Sequence, residues 1–450
     1  MKKIVFYSTN PVSFNGNDFL INDLPPNHQV LENLCKSFPD YSFAVVCQLP
    51  ARFLYDYPLQ KKAGGVEYVF LENTVDESLS FSEYAAEKIL GLKPDAAIAV
   101  SGWFGFYDIL PLQDAVIAEI LRSCGVECLC HSADTVFLCS DKHLMHGFLS
   151  SNGFCTPDAC FVDNKLFWKE RGNRLLNVNS YKEYILQKIK KLTFPVVIKE
   201  NTGLSSGGIV VAEDYETAVK YLTSKRNDGD RLVEEYIPGT HFGIEVLSDG
   251  TNSEVLPPFA FSLNSHGITS PKQSVKIGPI ASSDKNLNQE SLVKETKRLF
   301  SLLKFSGIAQ IDLVFADNRW YFIEINPRLS GMTNSYVASG GIPVLEQLLM
   351  LLEKKSVPRK FKSVLNFKLP LISTEEREWL YNMLYVAGIS QTENLAAGQE
   401  REKGYSEIIL TADSFSKLKE TYLSFYESGK VVDEGFHKKI IMLFEQLSLC

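Results

Sequence analysis

Residues 307–328 read GIAQIDLVFADNRWYFIEINPR, two apolar runs separated by a polar triplet at 317–319. The triplet suits a three-residue hairpin loop, so we predict two antiparallel strands. In that register two pairs of polar side chains face each other, namely Asp312 with Glu324 and Gln310 with Asn326. All four side chains then share one face of the strand pair.

The two opposed carboxylates, Asp312 and Glu324, would repel each other unless a cation lay between them. Asn326 adds an amide on the same face, and Arg328 extends that face by a further two residues. Oxygen donors with open positions for phosphate are typical of Mg²⁺ at a nucleotide. A solvated polar face is the alternative, but it accounts less well for charges between apolar neighbours. We therefore predict a metal site formed by Asp312, Glu324 and Asn326.

A lysine and a small-residue loop precede this strand pair. Lys199 ends the strand FPVVIK, and NTGLSSGG follows at 201–208. Backbone N–H groups and hydroxyls of such a loop can close over phosphates, although the sequence is not a GxxxxGK[ST] P-loop. A flexible turn is the alternative reading.

The stretch LVEEYIPG, residues 232–239, has the form of a connector after a strand. Its backbone can offer an N–H and C=O pair to the edge of adenine, while Ile237 packs on the ring. An ordinary exposed strand end is the alternative. The surrounding residues 230–250 favour a strand pair broken at Pro238 and Gly239.

The first 130 residues alternate short apolar runs with helical patterns, which predicts a parallel sheet covered by helices. No GxGxxG occurs in it, so no dinucleotide site is predicted. Residues 124–131 carry three cysteines and a histidine, but the spacing lacks a CxxC pair and favours a buried strand over a metal site. The last 90 residues predict strands at 363–372 and 405–412, with helices including 377–388.

Composition excludes several classes of protein. The chain has 450 residues, so we expect two or three packed units, and its net charge of −8 argues against a general binder of nucleic acid or anionic membranes. The N-terminal apolar run is too short for a signal peptide, and no apolar window approaches the ~18 residues of a membrane span. Nine irregularly spaced cysteines favour a reducing cytoplasm.

In this order, the strand–Lys–glycine block, the EEYIPG hinge and the QIDLVF…FIEINPR pair resemble the ATP-grasp superfamily, over roughly residues 135–355. The resemblance implies an α/β chain of three units: a parallel-sheet domain at 1–130, a two-lobed ATP-grasp domain at 131–357 and a small α+β unit at 358–450. Within the second unit it implies a mobile lid lobe at about 190–237.

The resemblance also implies a role for individual residues. Lys142 and Lys199 match residues that contact the nucleotide phosphates. The implied lid contains Ser205, Ser206, Gly207 and Gly208, and the implied adenine contacts are Glu234, Glu235, Tyr236 and Ile237. His241 stands at a ribose-binding position that many members fill with glutamate. Asp312, Glu324 and Asn326 match ligands of Mg²⁺ or Mn²⁺. Arg328 and Lys199 are the implied catalytic residues.

The activity implied is that of an ATP-dependent carboxylate–amine ligase, which forms an amide through an acyl phosphate on amino acids or small metabolites. The alternatives are a bicarbonate-activating carboxylase or carbamoyl-phosphate-type enzyme, and a nucleotide-binding module without ligase activity. Gln310 replaces an arginine of D-alanine ligases and disfavours that member. The expected partners are a small carboxylate and an amine, with no nucleic acid and no membrane, and a homodimer is compatible with the resemblance.

The sequence points only broadly to where these substrates bind. Candidate regions are the loop at 263–285 and the segment SGWFGFYD, with Trp103, Phe104 and Tyr107 after a parallel strand. His266, Lys272 and Lys276 are candidate carboxylate contacts, with solvated loop charges as the alternative.

Overall fold

The fold is known from a computed structural model. It describes residues 1–10, 19–22, 25–57, 59–72, 80–102, 110–173, 175–202, 209–262, 274–280, 287–394, 404–429 and 431–448.

The N-terminal region forms a five-stranded parallel sheet, as predicted. Its order is β4-β3-β1-β5-β6, with β1 (Lys2–Ser8), β3 (Tyr41–Cys47), β4 (Glu67–Phe70), β5 (Ala96–Ala99) and β6 (Glu127–Leu129). The connecting helices are α1 (Asn27–Ser37), α2 (Phe81–Gly91) and α3 (Leu110–Ser123). The strands are apolar along their length because helices cover both faces of a parallel sheet.

A second sheet has four antiparallel strands in the order β7-β10-β8-β9. Its strands are β7 (Ala159–Val162), β8 (Val196–Glu200), β9 (Val210–Ala212) and β10 (Arg231–Glu235). Three helices belong to this lobe: α6 (Asn164–Phe167), α7 (Ser180–Ile189) and α8 (Tyr215–Leu222). β8 pairs with β9 in antiparallel fashion.

A ten-stranded antiparallel sheet forms the centre of the molecule. Its order is β16-β15-β11-β13-β14-β17-β19-β18-β2, and β12 pairs with β11. The strands are β2 (Phe19–Asn22), β11 (Thr240–Asp249), β12 (Ser253–Val255), β13 (Phe259–Phe261), β14 (Val275–Gly278), β15 (Ser306–Ala316), β16 (Arg319–Asn326), β17 (Ser363–Leu369), β18 (Val386–Asn394) and β19 (Gly404–Ala412). The remaining helices are α4 (Ala133–Ser140), α5 (Lys142–Ser151), α9 (Gln289–Leu303), α10 (Thr333–Gly340), α11 (Val344–Leu352), α12 (Thr374–Tyr381), α13 (Phe415–Ser428) and α14 (Glu434–Ser448).

The predicted pairing within residues 230–250 is wrong, because β10 and β11 lie in different sheets. The chain crosses from the small sheet to the central sheet at Pro238 and Gly239. A side chain at Gly239 would lie 2.4 Å from the carbonyl oxygen of Phe315. The connector therefore needs glycine where it packs onto β15.

The hairpin of β15 and β16 has the predicted partners but a different turn. Asp317 and Asn318, both at positive φ (50° and 57°), form a two-residue turn rather than a three-residue loop. A register shift beyond Asp312 leaves Ile323 as the extra residue of a bulge. The bulge compensates for the shorter turn, so Asp312 still pairs with Glu324.

The C-terminal region extends the central sheet through β17, β18 and β19. The helix predicted over 377–388 is wrong in its second half, because α12 ends at Tyr381 and β18 begins at Val386. Pairing of β18 with β19 along most of its length overrides the local helical pattern. The predicted division into units ending at 130 and 357 stays a prediction.

Strand register places the polar residues of the central sheet on one face. Asp312 pairs with Gly243, Lys276 with Asn366 and Lys368 with Glu407, and directly paired residues point the same way. The opposite face is apolar and packs in one large core. The polar face turns toward the N-terminal sheet, with which its apolar members share a second core.

Within the described ranges, no single helix has the length and apolar character to cross a membrane. The helices α10 and α11 meet that test only when taken together, and an 86° bend separates them.

Candidate active site

The two carboxylates at the hairpin lie opposite each other and differ in their surroundings. Burial, followed by the charge of Glu324, raises the pKa of Asp312 to about 6. Burial also acts to raise the pKa of Glu324, but Lys142 and Lys199 outweigh it and hold that pKa below its usual value. The lysines thus neutralise Glu324 more fully than Asp312, and the oxygens of the opposed carboxylates suit a hard divalent cation.

A chain of hydrogen bonds connects the other polar residues of this face. Arg328 Nη2 donates to Asn326 Oδ1 at 3.1 Å, and Asn326 Nδ2 donates to Gln310 Oε1 at 2.9 Å. Gln310 Nε2 then donates to Asp312 Oδ1 at 2.6 Å. In this series of hydrogen bonds, the amide oxygen of Asn326 faces the guanidinium of Arg328. Asn326 would have to exchange that contact to bind a metal through its oxygen.

Two lysines approach the carboxylates from other elements. Lys142 begins α5, and its Nζ lies 3.2 Å from Glu324 Oε1. Lys199, near the end of β8, is hydrogen-bonded to the buried Glu234 of β10. The register explains this second pair, because Lys199 faces Leu232 and therefore lies diagonally beside Glu234. Both predicted phosphate lysines thus hold carboxylates in this structure.

Asn201 joins the elements that carry these lysines, and the sequence interpretation did not single it out. Its carbonyl oxygen accepts the N–H of Lys142 at 3.1 Å, and its Oδ1 accepts the N–H of His143 at 2.9 Å. Its Nδ2 donates to Asp141 Oδ2 at 2.9 Å, while the other oxygen of Asp141 caps α5. Asn201 follows Lys199 by two residues, so it fixes both lysines relative to each other.

Among the hinge residues Glu235, Tyr236 and Ile237, which were expected to contact adenine, one backbone N–H lacks a backbone acceptor in the described chain. The N–H groups of Glu235 and Tyr236 donate to the carbonyl oxygens of Asp158 and Pro195. Within the described chain, the N–H of Ile237 has no backbone acceptor. Glu235 also accepts the N–H of Thr193 through its side chain, at 2.6 Å.

His241, the expected ribose contact, is buried beside Lys199. Burial, followed by the charge of Lys199, lowers the pKa of His241 to about 4, so the imidazole is neutral at pH 7. Its Nε2 is buried and finds no hydrogen-bond partner among the described residues. An unpaired buried nitrogen is costly, and a ligand hydroxyl would satisfy it.

Several predicted residues lie outside the described part of the chain. They are the lid residues Ser205, Ser206, Gly207 and Gly208, and the candidate substrate contacts Trp103, Phe104, Tyr107, His266 and Lys272. Lys276 is described and buried on β14.

The histidine of the cysteine-rich segment is occupied by the backbone. His131 Nε2 donates to the carbonyl oxygen of Ile308 at 2.8 Å, and its Nδ1 accepts the N–H of Ser306 at 3.2 Å. Both ring nitrogens are hydrogen-bonded to residues at the start of β15. This agrees with the predicted buried strand in this segment rather than with a metal site.

The model of the ATP-grasp domain family matches residues 139–332. These residues are therefore identified as an ATP-grasp domain. The matched range contains every residue to which a metal, nucleotide or catalytic role was assigned above. It also contains Asn201 and Gln310, which complete the network around those residues.

Solved ATP-grasp structures share the fold along nearly the whole chain. An L-amino acid ligase from Bacillus licheniformis aligns with a TM-score of 0.62 at 18% identity, covering 95% of this chain and 97% of the other. N5-carboxyaminoimidazole ribonucleotide synthetase from Thermus thermophilus aligns with a TM-score of 0.62 at 14% identity, covering 96% and 99%. These similarities establish the architecture.

Sequence relatives include the large chain of carbamoyl phosphate synthase. The protein from Agathobacter rectalis is 25% identical over 289 residues, which is 62% of this chain and 24% of the relative. The protein from Clostridium botulinum strain Kyoto is 24% identical over 387 residues, or 80% of this chain and 33% of the relative. The chain therefore spans about a quarter to a third of the length of these relatives.

Proposed function

We propose that this ATP-grasp chain is an ATP-dependent carboxylate–amine ligase acting on amino acids or similar small metabolites. The observation that carries the proposal is the grouping of Lys142, Lys199 and Arg328 around the opposed carboxylates Asp312 and Glu324. Three cations and a metal-binding pair are what a transferring phosphoryl group requires.

In the proposed reaction a substrate carboxylate attacks the γ-phosphate of ATP, giving an acyl phosphate and ADP. An amine then attacks the acyl carbon, the C–N bond forms, and phosphate leaves. Asp312 and Glu324, with Asn326 once it releases Arg328, would hold Mg²⁺, which supplies charge neutralisation at the phosphate oxygens. Lys142 and Lys199 would exchange their carboxylate partners for phosphate oxygens, and Arg328 would stabilise charge on the oxygens of the transferring group.

For the nucleotide we propose that the N–H of Ile237 donates to the adenine edge and that His241 Nε2 contacts a ribose hydroxyl. The neutral state of His241 at pH 7 lets the ring nitrogen act as donor or acceptor there. Glu234 is proposed to accept the adenine amino group after Lys199 turns to phosphate. The lid roles of Ser205, Ser206, Gly207 and Gly208 and the cytoplasmic location remain predictions.

Bicarbonate activation is the second candidate, because the sequence relatives described above are carbamoyl phosphate synthase large chains. The two functions separate in an assay of ADP release with MgATP and purified chain. We expect release to depend on an amino acid drawn from pools of the twenty L-amino acids. ADP release that depends on bicarbonate instead would favour the second candidate. ADP release that depends on neither an amino acid nor bicarbonate would contradict both candidates.

A further inference from the structure

Two lysine ammonium groups converge beside Gly331, on the same sheet face as the carboxylate pair. Lys276 of β14 donates through Nζ to the carbonyl oxygen of Gly331 at 2.6 Å. A Cβ added to Gly331 would lie 3.2 Å from Lys276 Nζ and 3.7 Å from Lys368 Nζ. Both ammonium groups therefore border the small space at the side-chain position of Gly331, where even a methyl group would crowd Lys276.

Neither lysine has an ion-pair partner in the described part of the chain. Salt bridges within 4.0 Å there do not include Lys276, which is buried, or Lys368, which is half-buried. Glu407 faces Lys368 across the strands, but its oxygens accept from Asn366 Nδ2 at 2.7 Å and Ser390 Oγ at 3.4 Å. Lys368 Nζ lies over the ring of Tyr405, 4.2 Å from its centre.

The positive charge of Lys276 is held at a cost. Burial, followed by the nearby charge of Lys368, lowers the pKa of Lys276 to about 8. Burial acts in the same direction on Lys368, but Tyr405 and Glu407 outweigh it and raise its pKa. Both lysines are therefore charged at neutral pH, and two neighbouring cations repel each other in a buried place. A bound anion would remove that repulsion.

The space lies close to the reacting groups. Gly331 follows Arg328 by three residues, and the charge of Lys276 acts on Asp312. The N–H of Leu329 donates to the carbonyl oxygen of Ser101 at 2.9 Å, which ties this segment to the end of the parallel sheet. An anion at Gly331 would thus lie between the metal pair and the C-terminal strands.

We propose that Lys276 and Lys368 form a subsite for the carboxylate of an amino-acid substrate, with Gly331 providing its space. The proposal rests on the proposed ligase function for its choice of ligand. It assigns the C-terminal strand β17 to the substrate site, with Lys368 in contact with the acid.

The test measures binding separately from turnover. The full chain with MgADP is screened by thermal shift against each of the twenty L-amino acids, and any that raises Tm is compared with its carboxamide. Lys368→Met and Lys276→Met remove one ammonium each, and Gly331→Ala fills the space. Lys362→Met, an exposed lysine just before β17, is the matched control.

We expect at least one amino acid to raise Tm in the wild type and in Lys362→Met, and its carboxamide to have no effect. The shift should be lost in Lys368→Met and Gly331→Ala, with the affinity for MgADP within twofold of wild type. The proposal is overturned if no amino acid raises Tm, or if the shift persists in both lysine variants. Lysine-dependent binding without amino-acid-dependent ADP release would contradict the ligase function alone, and turnover that both lysine variants retain would contradict the subsite alone.

Discussion

Lys142 Nζ and Glu324 Oε1 lie 3.2 Å apart, although one residue begins helix α5 and the other lies within strand β16 of the central sheet. The contact pairs a predicted phosphate ligand with a predicted metal ligand. In this arrangement each of them neutralises the other. Binding of a metal nucleotide would supply both charges with new partners, so the affinities for metal and nucleotide should depend on each other.

Glu324→Ala should reduce ATP turnover by about 100-fold or more, because it removes a metal ligand rather than core volume. ADP release at saturating Mg²⁺ measures the effect, and thermal unfolding checks the fold. Glu375→Ala, an exposed carboxylate of α12, should retain wild-type turnover. Turnover in Glu324→Ala close to the wild-type rate would refute its role as a metal ligand.

Lys199→Met should destabilise the protein by about 3–5 kcal/mol, because it leaves Glu234 as a buried charge without its cation. The double variant Lys199→Met/Glu234→Gln should recover much of that stability and still fail to bind MgATP. Urea unfolding and calorimetry with a non-hydrolysed ATP analogue measure the two effects. Recovery of binding together with stability would show that Lys199 acts only on the fold.

Asn201→Ala should raise KM for ATP more than it lowers kcat, because Lys142 and Lys199 lose the residue that connects them. The lost hydrogen bonds should also lower the free energy of unfolding by about 1–3 kcal/mol. Asn152→Ala removes an amide at the other end of α5 and serves as the control. An equal change of KM in the two variants would argue against a specific role of Asn201.

His241→Ala should reduce the preference for ATP over 2′,3′-dideoxy-ATP. In the wild type the buried Nε2 would contact a hydroxyl that the analogue lacks, a difference of about 1 kcal/mol. The ratio of the two dissociation constants is the quantity to measure. A ratio unchanged by the substitution would remove the ribose from the proposed contacts.

His131 should make stability depend on pH below neutrality. Burial lowers its pKa from 6.5 to about 4, so between these values the unfolded chain binds more protons than the folded one. Stability should therefore rise with pH across this window, by up to about 3 kcal/mol from this group. In His131→Gln that rise should be absent, as urea unfolding at several pH values would reveal. Parallel stability curves for wild type and variant would contradict the assignment.

The metal pair could be predicted because strand alternation and residue chemistry agree within one short stretch. Asp312 and Glu324 are indeed opposite each other, but the turn and the bulge that produce this pairing were not apparent from the residues. The turn is one residue shorter than predicted, and the bulge at Ile323 adds one residue, so the two differences cancel. The predicted pairing is therefore correct although the predicted turn is wrong.

The lysine pair could not be predicted, because it depends on strand order. Lys276 and Lys368 are 92 positions apart and meet only because β14 pairs with β17. Local patterns determine which residues share a face of one strand, but they do not identify the neighbouring strand. The contacts of Asn201 could not be predicted for the same reason, since its partners lie at the start of α5, about 60 residues earlier.

The path of the central sheet has a practical consequence for anyone who shortens this protein. A chain ending at residue 357 would lack β17, and the buried strand β14 would become an open edge. Unpaired edges of this kind recruit other chains. Insolubility of such a fragment would therefore report the missing strand, and it would reveal nothing about whether the remaining residues can bind a nucleotide.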